Sequence, residues 1–353
     1  MRRGWKILIG VLVVLAALLV VNTIVVGNET KDAEVTVDGG RILTLPGGDV
    51  QVTDSGDPAG GRAGAPIVLL HCFDCSLHWW DAMLPALSER HRVIRIDLLG
   101  HGGSAKPKTG YGIEDQGGLV AAALDRLGVQ GAVLVGHSLG GTVAVSVADQ
   151  ASQLVDRVVI IDQAPDNSFG DLSLLDRLAM TPVIGEAMWR VKIDSLVEKG
   201  FEVAFAPGFD QEEGFADPDQ ITIDNEAMTY TSFDASPEAE DDYSEEIPLD
   251  TRMRSIAVPL MVIFGAEDQI YDADASLAAY REGVPGARVA TVKDAGHSPN
   301  VEQPEETAAL IEEFAADAGD STISRPPKDI GRKPKPRSRE RDPQRDRNGG
   351  NKG

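Results

Sequence analysis

The stretch VLVGHSLGGTVAV, residues 133–145, constrains this chain more than any other: a short apolar run passes directly into an apolar pattern at helical spacing across Gly136-His137-Ser138-Leu139-Gly140. A strand that becomes a helix within so few residues needs its two backbones in near contact, and glycines on both sides of the serine permit that approach. The serine then occupies a strained turn and projects its hydroxyl from the sheet edge. Because the helix begins at once, the N–H of Leu139 and the helix N-terminus are aimed at any negative charge growing near Ser138.

That strand is one beat of a longer rhythm. RILTL and DVQVT read as an opening hairpin turned at PGGD, and PIVLLH, HRVIRIDL, GAVLVG, DRVVIID, PLMVIFG and ARVATV read as successive strands. Between them SLHWWDAMLPALSER, IEDQGGLVAAALDRLG, LGGTVAVSVADQ, DASLAAYREG and PEETAALIEEFAADA have helical length and spacing. Alternation of this kind predicts an α/β fold on a mostly parallel central sheet flanked by helices. The core is expected over 41–164 and 258–319. Residues 165–257 interrupt the beat with short helical stretches and aromatics, and an insertion this long predicts a folded helical cap rather than a loop.

The two ends differ in kind from the middle. Residues 1–6 form a basic stub, and 7–26 are an uncharged run of about 30 Å as a helix, the thickness of a bilayer's hydrocarbon core. The expectation is a transmembrane signal-anchor with a cytoplasmic N-terminus, a linker over 27–40 and an extracytoplasmic domain. The alternative is secretion after cleavage near Gly27. At the other end, residues 320–353 are dense in Pro, Arg and Lys without apolar periodicity, which predicts a disordered basic tail. Net charge is −23; with +7 from Arg325 onward and +3 in residues 1–28, the middle carries −33. Such acidity argues against nucleic acid as a partner. The tail is read as a solvated end, or as a contact to an anionic surface that salt would weaken.

A serine hydroxyl needs a base, and the base a carboxylate to orient it. VIFGAEDQIYD places Asp268 after the fifth parallel-type run, and VKDAGHSPNVEQPEE places His297 after the sixth, both at the C-terminal sheet edge where open α/β sheets form sites. With HCFDCSLHWW, DLLGHGGS, GHSLGG, FGAEDQI and AGHSPNVEQPE, the chain resembles the α/β-hydrolase family over roughly residues 41–317. The resemblance implies Ser138 as nucleophile, His297 as base and Asp268 as acid, with Asp162 the alternative acid. It also implies Phe73 and Leu139 as oxyanion-hole N–H donors, and His101 and His137 as shaping residues. Glu267 is expected to be solvated, and His91 exposed.

The stretch HCFDCSLHWW, residues 71–80, admits three readings. His71, Cys72, Cys75 and His78 are a set zinc would accept, though tightly spaced. Cys72 and Cys75 form a C-x-x-C, the spacing of a redox pair. In the third reading Phe73 is the functional element, and Cys72, standing where the family usually has glycine, is bonded to Cys75 in the oxidising exterior, with free thiols as the rival. Trp79 and Trp80 are read as core and pocket wall.

The expected activity is therefore cleavage of a carboxylic ester, or related acyl bond of a small molecule, through an acyl-serine intermediate, with no metal or organic cofactor. Carbon–carbon hydrolysis, acyl transfer and cofactor-free perhydrolysis would use the same three residues. Serine rather than aspartate at position 138 argues against haloalkane dehalogenase and epoxide hydrolase chemistry. A catalytically silent cell-surface binding module is the non-enzyme alternative.

Overall fold

The computed structural model describes residues 2–58, 64–170 and 181–316; the tail expected over 320–353 lies outside the described residues. The sheet strands are β1 (Arg41–Leu45), β2 (Gly48–Asp54), β3 (Ile67–Leu70), β4 (Val93–Ile96), β5 (Ala132–His137), β6 (Val155–Ile161), β7 (Leu260–Gly265) and β8 (Arg288–Val292). They lie in the order β1-β2-β4-β3-β5-β6-β7-β8. The pairings β1–β2 and β2–β4 are antiparallel and the rest parallel.

Strand alternation divides the core between two faces. Val68, Leu70, Leu134, Val158 and Ile160 point to one side, where they pack with Val143 and Val147 of the helix Leu139–Gln150. Ile67, Leu69, Val133, Val135, Val159 and Ile161 point to the other, against Trp80, Met83, Leu87 and Phe314. With both faces covered, the parallel strands read as continuous apolar runs.

Two expectations are corrected. The single helix read over SLHWWDAMLPALSER is a 3-10 turn, Leu77–Met83, followed by a short helix, Leu84–Ser88, because Pro85 lacks an N–H and so sits in the first turn of a new helix. His91, expected to be exposed, is buried, its Nδ1 within 2.8 Å of the Ala65 carbonyl.

The insertion between β6 and β7 is helical where described: Ile184–Arg190, Asp194–Phe201, Gln220–Ala227, Tyr230–Glu246 and Leu249–Met253. Its Ala204, Phe205 and Ile221 share an apolar cluster with Cys72, Cys75, Trp79 and Val301. The N-terminal helix Arg2–Val26 includes Gly4–Val26, with a mean hydropathy of 2.9, long and apolar enough to cross a membrane; a signal sequence meets the same test. Residues 27–40 contain no regular helix, yet they are tied to the core. Lys31 and Lys106 exchange backbone hydrogen bonds of 3.1 and 2.8 Å, and the Glu34 N–H donates to the Gly103 carbonyl at 2.9 Å.

A Cβ added at Gly136 would lie 2.1 Å from the Gly140 carbonyl oxygen, whereas one at Gly200 meets nothing within 4 Å. Both clashing groups at the first site are backbone, so Gly136→Ala is expected to lower stability by roughly 3 kcal/mol or more. Gly200→Ala should leave it unchanged or raise it by up to about 1 kcal/mol. Thermal unfolding of the two variants checks the contrast.

Candidate active site

Ser138 sits between β5 and the helix Leu139–Gln150 at φ 50°, ψ −121°, a left-handed conformation that a residue with a Cβ adopts only under constraint. Its N–H donates to the Ile161 carbonyl of β6 at 2.9 Å, and its carbonyl accepts from the Gly141 N–H at 2.7 Å. The approach that Gly140 allows is equally close: a Cβ there would lie 2.2 Å from the Leu70 carbonyl oxygen of β3. The side chain stands partly exposed at the sheet's C-terminal edge.

The loops after β7 and β8 are joined by the same device. A Cβ on Gly265 would lie 1.8 Å from the Gly296 carbonyl oxygen, and Ala266 and Glu267 each donate an N–H across the gap at 2.8 Å, to Val292 and Ala295. This contact brings Asp268 to His297, Oδ2 to Nδ1, at 3.0 Å. Burial alone would raise the Asp268 pKa, but the His297 ring outweighs it, together with the Ile270 and Tyr271 N–H groups that donate to Oδ1 at 2.7 and 3.1 Å. The carboxyl is held below its usual range and is ionised. An ionised carboxylate only accepts, so Nδ1 carries the ring proton and Nε2 is left as the basic nitrogen.

His297 is fixed beside the serine turn through its own backbone. The His137 Nε2–H donates to the His297 carbonyl at 2.6 Å, and the two rings lie 5.2 Å apart. Burial pushes the His137 pKa down to about 3, so this residue is a neutral strut next to Ser138. The loop is held from its other side by Glu302, whose Oε1 accepts from Gly296 at 2.8 Å and Ser298 at 3.3 Å, and whose Oε2 accepts from Ala206 of the insertion at 2.7 Å.

Asp162, the alternative acid, occupies a different state. It is fully buried at φ 46°, its Oδ1 accepts from the Gly265 N–H at 2.8 Å, and burial followed by the charge of Asp268 raises its pKa well above the usual range. A neutral carboxyl cannot balance an imidazolium, so the ionised partner of His297 is Asp268. Asp162, Asp268 and His297 bring ligand-capable atoms within 4.8 Å of one another. A carboxyl that retains its proton is poorly suited to a metal, which binds the carboxylate.

Phe73 and Leu139, the two expected N–H donors, flank this edge, and neither N–H donates to a group among the described residues. Leu139 opens its helix, where such groups are left free. The loop carrying Phe73 is braced by a Cys72–Cys75 disulfide with Cα atoms 5.4 Å apart. His71 braces it too, accepting at Nε2 from the Leu98 N–H at 2.9 Å and donating from Nδ1 to the Cys72 carbonyl at 2.7 Å. Cys72 does not need glycine's freedom here; the left-handed residue is Asp74, at φ 54°. His78 bonds Asp81 at 2.7 Å. With both sulfurs bonded to each other and both nitrogens of His71 engaged, the zinc and free-thiol readings are set aside, and the bonded pair is the oxidised state that a redox C-x-x-C would also have.

Three further acids escaped the sequence reading. Glu240 of the insertion accepts from Thr142 Oγ1 at 2.7 Å, and its pKa is pushed up to about 7 by burial. Asp224 accepts from Trp79 Nε1 at 2.9 Å and is likewise raised to about 7 by burial. Asp74, raised by burial, accepts from Asn225 Nδ2 at 2.6 Å. In the sequence all three resemble surface charges in an acidic chain. Glu267 is exposed as expected. A cleft of about 560 Å³ lined by Glu202, Phe205, Phe209 and Ile221 of the insertion and by Gln269 of the loop after β7 includes neither Ser138 nor His297.

A strand–turn–helix serine with an adjacent carboxylate–imidazole pair on a mostly parallel sheet defines a class of hydrolytic enzyme. The model of the alpha/beta hydrolase family matches residues 67–310, and the chain belongs to that family; it is an enzyme of α/β-hydrolase type. It is 28% identical to an uncharacterized protein of Mycobacterium tuberculosis, over 71% of this chain and 75% of that one. It is 27% identical to the 2-hydroxymuconate semialdehyde hydrolase of Pseudomonas sp. (strain CF600), over 81% and 96%. In fold it is similar to a putative aryl esterase from Burkholderia cenocepacia, with a TM-score of 0.64 and 21% identity over 78% of this chain and 97% of that one.

Glu240 and Asp224 hold protons in the folded protein that the unfolded chain, at 4.5 and 3.8, has released. Their folded pKa values are raised, so the stability these two groups contribute is fully present below the unfolded values and is lost as pH rises through about 7, and Asp74, raised to about 8, extends the decline. Thermal unfolding between mildly acidic and mildly alkaline pH should show this decline, and Glu240→Gln should make it shallower.

Proposed function

We propose that this chain is an exported, membrane-anchored serine hydrolase that cleaves a carboxylic ester, or related acyl bond, through an acyl-serine intermediate. The observation that carries the reading is the strained Ser138 turn, beside which His297 is held by His137 and oriented by an ionised Asp268. His297 Nε2 takes the proton of Ser138 Oγ as it attacks the carbonyl, and returns it to the leaving alcohol. Phe73 and Leu139 offer their N–H groups to the oxygen that becomes negative. Water, deprotonated by the same imidazole, then releases the acid and regenerates the serine.

Anchoring through residues 7–26 is supported by their length and hydropathy, and by the three basic residues, Arg2, Arg3 and Lys6, placed directly before the run, compared with Lys31 and Arg41 in the fifteen residues after it. In this reading the basic residues from Arg325 onward supply a contact to an anionic surface. Similarity to the 2-hydroxymuconate semialdehyde hydrolase favours carbon–carbon hydrolysis as the second reading, on the same three residues.

Ser138→Ala should abolish labelling by a fluorophosphonate probe and lower kcat on short-chain esters by about 10³-fold or more, with the fold retained. Asp268→Asn should lower kcat by on the order of 10⁴-fold. Asp162→Asn, which keeps an acceptor for Gly265 and a donor in place of the carboxyl proton, should stay within about tenfold of the parent. Absence of labelling in well-folded parent protein would sink the acyl-enzyme reading in favour of a silent binding module. Turnover of a carbon–carbon substrate but no ester would favour the second reading.

A further inference from the structure

The insertion turns an apolar face to the outside beside the N-terminal helix. Val191 is 68% exposed, Leu196 60%, Ile193 50%, Ile184 46%, Val183 43% and Met188 41%. Ile184 and Met188 stand one turn apart on the helix Ile184–Arg190, and Val183, Val191 and Ile193 flank its ends, so the exposed apolar residues make a stripe along one short segment. Exposed apolar side chains concentrated in this way mark a contact with another apolar phase.

The same segment is fastened to the last turns of the apolar helix. Asn22 Nδ2 donates to the Glu186 carbonyl at 3.0 Å, and the Thr23 hydroxyl bonds the Glu186 carboxylate, which also accepts from the Val183 N–H at 3.0 Å. Asn22 and Thr23 lie only about 5–6 Å below the helix end at Val26, at about 1.5 Å per residue. Glu186 therefore sits at the level where a spanning helix leaves the hydrocarbon, and the stripe lies beside it. Lys31 reinforces the junction by donating to the Glu226, Ala227 and Met228 carbonyls at 2.7, 3.3 and 3.0 Å.

From this level an aromatic wall leads inward. The Trp189 ring is 5.0 Å from Phe233, and Phe233 is 5.1 Å from Phe73 in the loop beside Ser138. Trp189 also carries Lys192 Nζ over its face at 3.2 Å. A tryptophan paired with a cation and bordered by apolar side chains suits the headgroup zone of a bilayer.

We propose that the face formed by Val183, Ile184, Met188, Val191, Ile193 and Leu196 seats in the membrane interface beside the N-terminal helix, and that the substrate is an acyl ester carried in the lipid. This deepens the anchored-hydrolase reading and rests on it. The occupant is lipid rather than a second copy of the chain because the face continues, through Glu186, directly from the segment that spans the bilayer. An ester entering along Trp189 and Phe233 meets aromatic surface as far as the Phe73 loop, with Glu186 and Asp234 beside its path.

The chain has two cysteines, joined to each other, so a single introduced cysteine is labelled uniquely. The test places an environment-sensitive fluorophore at Val191→Cys, Leu196→Cys or, as a control on the outer face of the helix Ile113–Arg126, Asp125→Cys. The full chain is reconstituted in phosphatidylcholine vesicles with a minority of phosphatidylglycerol. Brominated acyl chains should quench the first two labels by about twofold or more and spare the third, because an interfacial helix face lies about 5–10 Å into the headgroup boundary. Val191→Asp/Leu196→Asp should keep its rate on a soluble short-chain ester and lose about tenfold on the same acyl group presented in vesicles.

Water-exposed labels on protein that resists carbonate extraction would overturn the inference and leave anchoring intact. Cross-linking of Val191→Cys between two copies, with no quenching, would assign the face to self-association and overturn it as well. Release by carbonate would remove the anchor and the inference together. Quenched labels on protein that hydrolyses neither ester would support the docking face and overturn the substrate class with the hydrolase reading.

Discussion

Backbone contact at the C-terminal edge of the sheet is the constraint on which the rest depends. Two pairs of glycines create it: Gly136 and Gly140 around Ser138, and Gly265 against Gly296 between the loops of Asp268 and His297. A non-glycine residue at positive φ costs about 1–3 kcal/mol and persists only where its surroundings over-determine it. Ser138 is so determined, by the Ile161 carbonyl on one side and the first turn of its helix on the other. The second contact converts a separation of 29 residues into a direct hydrogen bond between Asp268 and His297. Both are backbone contacts of the sheet and its loops, and the insertion supports the second, since Gly296 also lies against Phe205 and Ala206.

Around this edge the protein sorts its carboxyl groups into two electrostatic states. Asp268 receives two backbone N–H groups and an imidazole, which together overcome burial and keep it ionised. Asp162 and Glu240 receive one neutral donor each, from Gly265 and Thr142, and burial prevails. Asp162 thereby touches the site without competing for the role of anion, and its proton spares Asp268 a like charge at close range. In a chain whose described middle is so acidic, this separation is what lets one carboxylate act on His297.

The strands and the serine turn were legible in the sequence because their causes are local. Period-two burial writes continuous apolar runs, and the glycine spacing around Ser138 is imposed by the turn itself. Asp268 and His297 were legible through their positions after successive strands. Glu302 was not, because its function is to receive N–H groups from Gly296, Ser298 and Ala206, and nothing in QPEE distinguishes such a carboxylate from a helix-start charge. The buried states of Asp162, Asp224 and Glu240 were hidden for the same reason: burial is decided by neighbours distant in the chain. His91 and the broken helix at Pro85 show the limit from the other side, since one depended on a tertiary acceptor and the other on a local rule outweighed by the apolar pattern.

The loop of Phe73 joins these levels. Its sheet side is fixed through His71 to Leu98, and its outer side is fixed to the insertion through Asp74 with Asn225 and through Trp79 with Asp224. Between those attachments the Cys72–Cys75 bridge leaves few ways for the loop to distort independently. The helix Gln220–Ala227 and the Phe73 loop are joined by two buried side-chain hydrogen bonds. The insertion also reaches the loop of His297, where the Ala206 N–H donates to Glu302 Oε2 at 2.7 Å, and the loop of Asp268, where Gln269 Nε2 donates to the Phe205 carbonyl at 2.7 Å. The insertion is thus tied to both sides of the edge on which Ser138 stands, to the Phe73 loop on one side and to the loops after β7 and β8 on the other.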